Sequence, residues 1–346
     1  MTISITGRRA VTGEPVWIKT DGIPVNCCSA VTEDGIIYPA QPKEDGVLVV
    51  ADLDCDKAVA AQLSDKPAAG GVEVRPAEDQ KALDIFIGGK LFTSYVFDRS
   101  LLKPYLGPVY TAAGTSYTRL DLETTEHPHQ RSVFIAVGDV NGIDFWNEDR
   151  ETVGEQRHQG FDQITSGPAW GGFTAKNIWY DHKKGNALLD EKRTFTFYNQ
   201  PDRCRYVDVE TTFTASYCDV QFGNTKEAGP LGIRINEEMR ADRSGSFINA
   251  YGARNEAECW GRPAPWCDYT GMVGGQQYGI AVFDHEDNER YPTTWHIRDY
   301  GLFAANNLYF KGGLKIPRHY SLTYKFRICF HENTLDTADR FLVYAR

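Results

Sequence analysis

The chain has 346 residues, of which 41% are hydrophobic and 24% charged, as in ordinary globular proteins, and its formal net charge is −10. It lacks a block of basic residues, which argues against nucleic acid as a partner, and no apolar run approaches the ~20 residues of a membrane helix. The eight cysteines form no CxxC pair, and no apolar segment follows the N-terminal arginines. We therefore expect reduced thiols in a cytoplasmic protein with no membrane association and with an unknown oligomeric state.

Period-2 alternation of apolar residues dominates the chain and predicts antiparallel strands. In chain order it indicates a hairpin of 81–87 and 91–97 around two glycines, a second hairpin of 193–198 and 206–214, and a late strand over 322–330. Helices are expected at 54–63, which is rich in alanine, and at 335–342. Long polar loops are expected at 147–169, 223–230 and 240–278.

These elements predict an all-β fold, a large antiparallel β-sandwich. A Pro-, Gly- and Ala-rich segment at 64–71 lies within or just after the first β region. We expect residues 1–79 to form a small N-terminal β region packed on the main domain, and residues 80–346 to form the sandwich domain.

Two histidines flank a proline in the segment 126–131, EHPHQR. If the segment is extended, His127, His129 and Arg131 project to the same side. Downstream, Asp139, Asn141 and a further aspartate crowd a glycine-containing turn before Trp146. The segment is therefore the first candidate for a polar site.

Three further stretches combine charged and aromatic residues. They are 232–240 with Arg234 and Glu237, 260–269 with two tryptophans and a carboxylate, and 284–300 with two histidines. Histidine titrates near neutrality, carboxylates and arginines bind hydroxyls and oxyanions, and flat aromatic faces suit a sugar ring. Proton transfer is predicted for His127, His129, His296, Glu237, Asp268 and Asp284. Substrate binding is predicted for Arg131, Asp139, Asn141, Trp146, Arg234, Trp266, Tyr269, His285 and Arg298.

Two other interpretations of these residues remain open. A His-x-His spacing also suits a metal ion. One alternative is therefore a divalent ion bound by His127 and His129. Two ligands do not make a metal site, and we therefore expect neither a metal nor a cofactor. The charges in 284–300 are equally consistent with a structural ion-pair network.

Five ordered motifs resemble the bacterial PmoA-type family. They are KPYLGPV (103–109), the segment 126–146 beginning EHPHQR, GPLGIRINEEMR (229–240), WCDYTG (266–271) and the segment 279–307 beginning GIAVFDHED. Gln130 and Ser132 stand where that family usually has histidine and glycine. The resemblance implies a soluble β-sandwich encoded among carbohydrate-catabolic genes. The chain is also distantly similar to the galactose-mutarotase super-sandwich, although 314–321 has no counterpart of that fold's catalytic glutamate.

These observations predict a carbohydrate-active enzyme that uses histidine–carboxylate acid–base chemistry on a sugar or keto-glycoside, of lyase, hydrolase or epimerase type. Its partner would be a small-molecule carbohydrate substrate. The alternatives are a non-catalytic carbohydrate-binding protein and a metal-dependent β-sandwich oxygenase or isomerase.

Overall fold

Three large antiparallel sheets and a two-stranded ribbon make up most of the described part of the chain. The computed structural model describes residues 1–24, 26–119, 126–148 and 153–345. The N-terminal sheet has the strand order β1-β6-β3-β4-β5-β2. Its strands are β1 (Thr2–Gly7), β2 (Val11–Lys19), β3 (Ser29–Thr32), β4 (Ile37–Lys43), β5 (Gly46–Leu53) and β6 (Lys57–Ser64). This sheet encloses a hydrophobic core of its own, which includes Ile5, Val49 and Ala61.

Two eight-stranded sheets form the sandwich. The front sheet, in the order β21-β22-β17-β11-β10-β9-β8-β7, contains β7 (Val72–Pro76), β8 (Ala82–Ile87), β9 (Lys90–Val96), β10 (Tyr105–Leu106), β11 (Val133–Val137), β17 (Ala228–Arg234), β21 (Trp295–Ile297) and β22 (Leu302–Ala305). The back sheet, in the order β12-β13-β14-β15-β24-β20-β19-β18, contains β12 (Glu155–Thr165), β13 (Trp170–Asp181), β14 (Asn186–Tyr198), β15 (Cys204–Thr214), β18 (Ser246–Asn249), β19 (Trp266–Val273), β20 (Gln276–Asp284) and β24 (Ser321–Glu332).

Smaller elements complete the described part of the chain. They are a ribbon of β16 (Val220–Phe222) and β23 (Leu314–Ile316), the helices α1 (Asn255–Cys259) and α2 (Thr337–Tyr344), and a 3-10 turn at Glu237–Met239. Neither α-helix within the described residues has the length and apolar content to cross a bilayer.

The core of the sandwich lies between the front and back sheets. Apolar side chains alternate inward along each strand, for example Ile135 and Ile233 from the front sheet and Phe195 and Ile328 from the back sheet. Burying one face of each strand produces the period-2 pattern in the sequence. The all-β antiparallel sandwich and both hairpins are confirmed.

Residues 54–63 were predicted as a helix, and that prediction is wrong. Residues 57–64 form β6, which hydrogen-bonds to β1 on one side and β3 on the other. Ala61 and Leu63 point into the N-terminal core. Pairing on both sides and burial at period 2 outweigh the helical preference of the alanines. The predicted loops were also too long, since β12, β18 and β19 lie inside 147–169 and 240–278, and residues 149–152 fall outside the described residues.

The N-terminal sheet packs on the outer side of the back sheet. Leu48 and Val50 of β5 pack with Tyr206, Phe283 and Cys329 of the back sheet. β7 lies within the segment 1–79, yet it pairs with β8 in the front sheet. The N-terminal sheet itself therefore ends at β6.

A buried ion-pair network joins the N-terminal sheet to the back sheet. Glu14 of β2 is fully buried, accepts hydrogen bonds from Arg327 Nη1 (3.0 Å) and Tyr206 Oη (2.9 Å), and lies 3.7 Å from Arg340. Arg327 also donates two hydrogen bonds to Asp208, at 2.7 and 2.9 Å. A charge buried this deeply requires partners, so the network ties the two units together.

Candidate functional site

The candidate site lies on the outer face of the front sheet. His296 is the middle residue of β21, where strand alternation sends Trp295 and Ile297 into the core and His296 outward. The neighbouring positions across the sheet are Ala304 and Gly232. A side chain at Gly232 would meet the ring of Phe134 at 2.8 Å, so glycine leaves room for that ring. Small residues thus form a floor under the site.

The segment 126–131 forms a turn. It does not have the extended conformation that the sequence analysis considered. Gln130 N donates to His127 O (3.0 Å), and the backbone of His127 has φ of 50°. Positive φ is uncommon for a residue with a side chain and is frequently found at functional sites. Arg119 holds this conformation, because its Nη2 donates to the carbonyls of Glu126 (2.9 Å) and His127 (3.0 Å).

The turn places the rings of His127 and His129 with their centroids 5.8 Å apart. His127 stacks on Tyr300 at 5.0 Å and an interplanar angle of 2°. His129 lies 6.3 Å from Trp146, and Trp146 lies 6.4 Å from His296. Trp146 is itself buried, at 1% exposed, and lies next to both His129 and His296, so the histidines predicted from separate motifs share one surface around it.

We call this surface the histidine–aromatic cluster. It consists of His127, His129, Trp146, Trp260, His296 and Tyr300.

The imidazoles of the cluster are neutral at pH 7. Burial lowers the pKa of His129 to about 3, with the nearby Lys103 ammonium acting in the same direction. Burial likewise lowers the pKa of His296 to about 4, helped by the charge of Arg298, and it lowers the pKa of His127. Nδ1 of His296 is buried and has no hydrogen-bond partner among the described residues. A neutral imidazole nitrogen that carries no hydrogen can accept a proton from a group that reaches it.

One group of charges supports Trp146 and His129. Arg131 donates to both carboxylate oxygens of Glu148, the second at 2.5 Å. Lys103, which is 2% exposed, donates to Glu148 and to the carbonyl of Trp146, each at 2.8 Å. Arg131 was predicted to bind substrate, but its guanidinium is held by Glu148 and orders the wall beside His129.

A second group of charges supports the turn. Glu237 accepts hydrogen bonds from Arg119 (3.0 Å), Arg234 (3.1 Å) and Arg240 (2.9 Å), and Glu126 lies 3.2 Å from Arg234 and from Arg240. Arg234 is fully buried and also donates to Gln130 Oε1. These contacts fix both ends of the histidine turn.

The same contacts set the ionisation of Glu237. Partial burial raises its pKa, but the hydrogen bond from Arg240 and the charge of Arg234 outweigh burial, and the net pKa is lowered. Glu237 therefore stays ionised with both oxygens occupied. The sequence predicted proton transfer for Glu237 and substrate binding for Arg234, and the structure places both in contacts that hold the histidine turn.

Asp268 and Asp284 were predicted as catalytic carboxylates, but both belong to the back sheet. Asp268 accepts hydrogen bonds from His331 Nε2 (3.1 Å) and Thr337 Oγ1 (2.6 Å). Asp284 accepts from Asn288 (2.7 Å) and from the backbone N–H of Thr293 (2.7 Å), and burial raises its pKa to about 6. Both carboxylates are engaged in structural contacts, apart from the histidine–aromatic cluster.

Several predicted binding residues also have structural contacts. Tyr269 is fully buried and its hydroxyl accepts from Ala241 N, while Trp266 packs against the core between the N-terminal and back sheets. Asp139 and Asn141 lie beyond the far end of β11, where Asp139 Oδ1 accepts from Gly142 N. His285 lines a cavity of about 790 Å³ on the outer side of the back sheet. None of these five contributes to the cluster.

Arg298 is close to the cluster, since it lies 5.5 Å above the ring of Tyr300 and pairs with Glu256 at 2.9 Å.

Four residues of the candidate site were not predicted from the sequence, namely Lys103, Glu148, Trp260 and Tyr300. Lys103 carries a usable signal, because it is a lone charge within an apolar run, 101–106. Glu148 has no such signal. The described residues contain no group of three His, Cys, Asp or Glu side chains able to hold a metal ion.

The Asp268–His331 pair predicts how stability changes with pH. His331 is fully buried, and both ring nitrogens face acceptors, Asp268 and the carbonyl of Asn333, so both carry protons. Burial lowers the pKa of His331, but Asp268 outweighs burial and the net pKa is raised. The Asp268–His331 ion pair therefore stabilises the fold fully below the ordinary histidine pKa of ~6.5. This stabilisation is lost as pH rises through the raised pKa of His331.

We therefore expect Asp268→Asn to lower the melting temperature most near about pH 6 and least near about pH 9. Thermal unfolding followed by circular dichroism at both pH values measures this difference. An equal effect of the substitution at the two pH values would contradict the charged state of His331.

No curated protein sequence matches this chain. Among solved structures, a galactose 1-epimerase from Lactobacillus acidophilus NCFM has a TM-score of 0.34 at 8% identity, covering 77% of this chain and 99% of that one. An alpha-galactosidase from Lactobacillus brevis has a TM-score of 0.34 at 10% identity, covering 75% of this chain and 39% of that one.

A family model matches residues 82–341, and this match corrects the resemblance drawn from the five motifs. The matching family is not a PmoA-type family, so the gene context that the resemblance implied loses its support, whereas the β-sandwich is shown by the structure itself. The match includes β8 to β24, and with them the whole histidine–aromatic cluster. The chain belongs to DUF6807, a family of unknown function.

Proposed function

We propose that the protein is a carbohydrate-active enzyme whose neutral imidazoles transfer protons on a sugar or a keto-glycoside. The observation that carries the proposal is the row of His127, His129 and His296 beside aromatic rings, and the lowered pKa of each keeps it unprotonated at neutral pH. Flat rings beside proton acceptors match the apolar faces and hydroxyl edges of a sugar.

The proposed reaction starts at a C–H bond next to a carbonyl group. That carbonyl acidifies the C–H bond, so its proton is removed by a weaker base than an ordinary C–H bond requires. In an elimination the electron pair of the C–H bond forms a C=C bond, the bond to the leaving oxygen breaks, and the imidazolium returns the proton to that oxygen. In an epimerisation the proton returns to carbon. His129 and His296 are the proposed bases, on either side of Trp146.

A panel of aldoses, simple glycosides and keto-glycosides, with product chromatography, tests the proposal. We expect turnover of at least one class, and we expect His296→Gln to reduce it. His319→Asn is the matched control, because His319 is exposed and asparagine tolerates its positive φ of 72°. Absence of turnover across the panel, or full activity of His296→Gln, would sink the proposal.

A non-catalytic sugar-binding protein is the second candidate. The aromatic rings of the cluster favour it, because such rings also bind sugars without catalysis. It is distinguished by calorimetry with the same panel. Under this alternative, sugars bind without turnover and His296→Gln leaves the affinity unchanged, whereas Tyr300→Ala, which removes a partly exposed ring of the cluster, lowers it.

The lowered histidine pKa values predict the pH profile of the enzyme. A base with a pKa of about 3 or 4 stays neutral, and so competent, well below the ordinary histidine range. We expect kcat/KM to be level above about pH 5 and to fall only as pH drops towards 4, because that parameter reports ionisations of the free enzyme. Circular dichroism at each pH excludes unfolding as the cause. A fall centred near pH 6.5 would contradict neutral, buried bases.

A further inference from the structure

A patch of partly exposed aromatic rings adjoins the histidine–aromatic cluster. Trp260 lies 5.0 Å from Phe310 and 6.1 Å from Tyr309, and these two lie 4.8 Å apart. Tyr309 is 36% and Phe310 is 43% exposed. We call these three residues the aromatic platform. The edge contact between Trp260 and His296, at 6.4 Å, joins the platform to the proposed base.

Hydrogen bonds fix the loop that carries Tyr309 and Phe310. Asn306 Oδ1 accepts from the backbone N–H of Leu308 (2.9 Å) and Tyr309 (3.1 Å), and Asn306 Nδ2 donates to the carbonyls of Thr225 and Lys226. A side chain at Gly261 would meet the ring of Phe310 at 2.4 Å. Glycine at that position lets the Phe310 ring lie directly on the backbone next to Trp260.

Apolar rings that remain exposed forgo the free energy that burial would provide, unless a ligand or a partner covers them. Trp260 also has an unused polar atom, since its Nε1 is buried without a hydrogen-bond partner among the described residues.

His296 has aromatic neighbours on two sides. On one side Trp146 leads to the imidazole of His129, and on the other side Trp260 leads to Tyr309 and Phe310.

We propose that the aromatic platform binds an aryl group of the substrate, which makes aryl glycosides the substrate class. This inference rests on the function proposed above. The sugar would lie over the partly exposed rings of His127, His129 and Tyr300, the aryl group would lie against Trp260 and Phe310, and the bond between them would lie near His296. Aromatic pairs gain most from offset or edge contacts at ring distances of about 4.5–7 Å, which the platform already displays among its own rings.

The experiment compares phenyl and methyl glycosides of the same sugars, with phenol alone as a third probe. Binding is measured by calorimetry and turnover by kcat/KM. We expect the phenyl glycoside to be preferred, and we expect Trp260→Leu and Phe310→Ala each to reduce that preference by up to about tenfold. Phe310→Ala is the safer variant for folding, because its ring is on the surface. Tyr251→Ala is the control, since Tyr251 is 71% exposed and is not part of the platform.

The outcomes separate the two proposals. If phenyl glycosides bind better than methyl glycosides and lose that advantage in Phe310→Ala, but none is turned over, the platform stands and the enzymatic proposal fails. Equal affinity for phenyl and methyl glycosides, or an unchanged preference in both platform variants, would overturn the platform whatever the turnover.

Discussion

His129→Gln is expected to lower kcat by about 10²- to 10⁴-fold, the usual contribution of a positioned general base. His129 has the most strongly lowered histidine pKa in the cluster, about 3, because burial and the Lys103 ammonium disfavour its protonated form. Glutamine keeps a polar side chain of similar size beside Trp146 but cannot take up the proton. The loss should therefore be in kcat, with a smaller change in KM.

Steady-state kinetics on the substrate found in the panel measures this effect, and His319→Asn serves again as the control. Thermal unfolding of His129→Gln should stay within a few degrees of the parent, because the turn is held by Arg119 and Arg234 and not by His129. A variant that retains full kcat would remove His129 from the mechanism and leave His296 as the proposed base.

Arg327→Met is expected to lower the free energy of unfolding by about 3–5 kcal/mol, the usual result of removing one partner of a buried ion pair. Arg327 donates to Glu14, which is fully buried, and twice to Asp208. Methionine fills a similar volume but leaves both carboxylates without their main partner. Urea unfolding at pH 7 measures the change.

The double variant Glu14→Gln with Arg327→Met supplies the control. It neutralises one of the two carboxylates that lose Arg327, the fully buried Glu14, so we expect it to be more stable than Arg327→Met alone. A loss below about 0.5 kcal/mol in the single variant would mean that the network is exposed to water in solution and contributes as little as a surface pair.

Much of the architecture follows from local patterns. Alternation along 81–97 predicts β8 and β9, and alternation along 322–330 predicts β24, because one face of each strand packs into the core. The same rule correctly sends His296 outward from β21, between Trp295 and Ile297. It fails at 54–63, where the alanines fit a helix equally well and only the pairing with β1 and β3 selects a strand.

The site itself was only partly predictable. The three histidines chosen by residue type lie close together, but two of the carboxylates predicted to act with them lie elsewhere. Asp268 and Asp284 stand in motifs as polar as those of the histidines, yet they lie on the back sheet. Glu148, which holds Arg131 and Lys103, has no distinguishing feature in the sequence.

By itself the sequence determined the all-β class, the hairpins and the outward direction of His296, since each depends on contacts between residues near in the chain or on period-2 burial. Only the tertiary structure decided which polar residues meet. His129 and His296 come together because β17 and β22 lie between β11 and β21 in the front sheet, a strand order that joins segments far apart in sequence. Strand order is set by packing of the whole core, and local alternation carries no information about it.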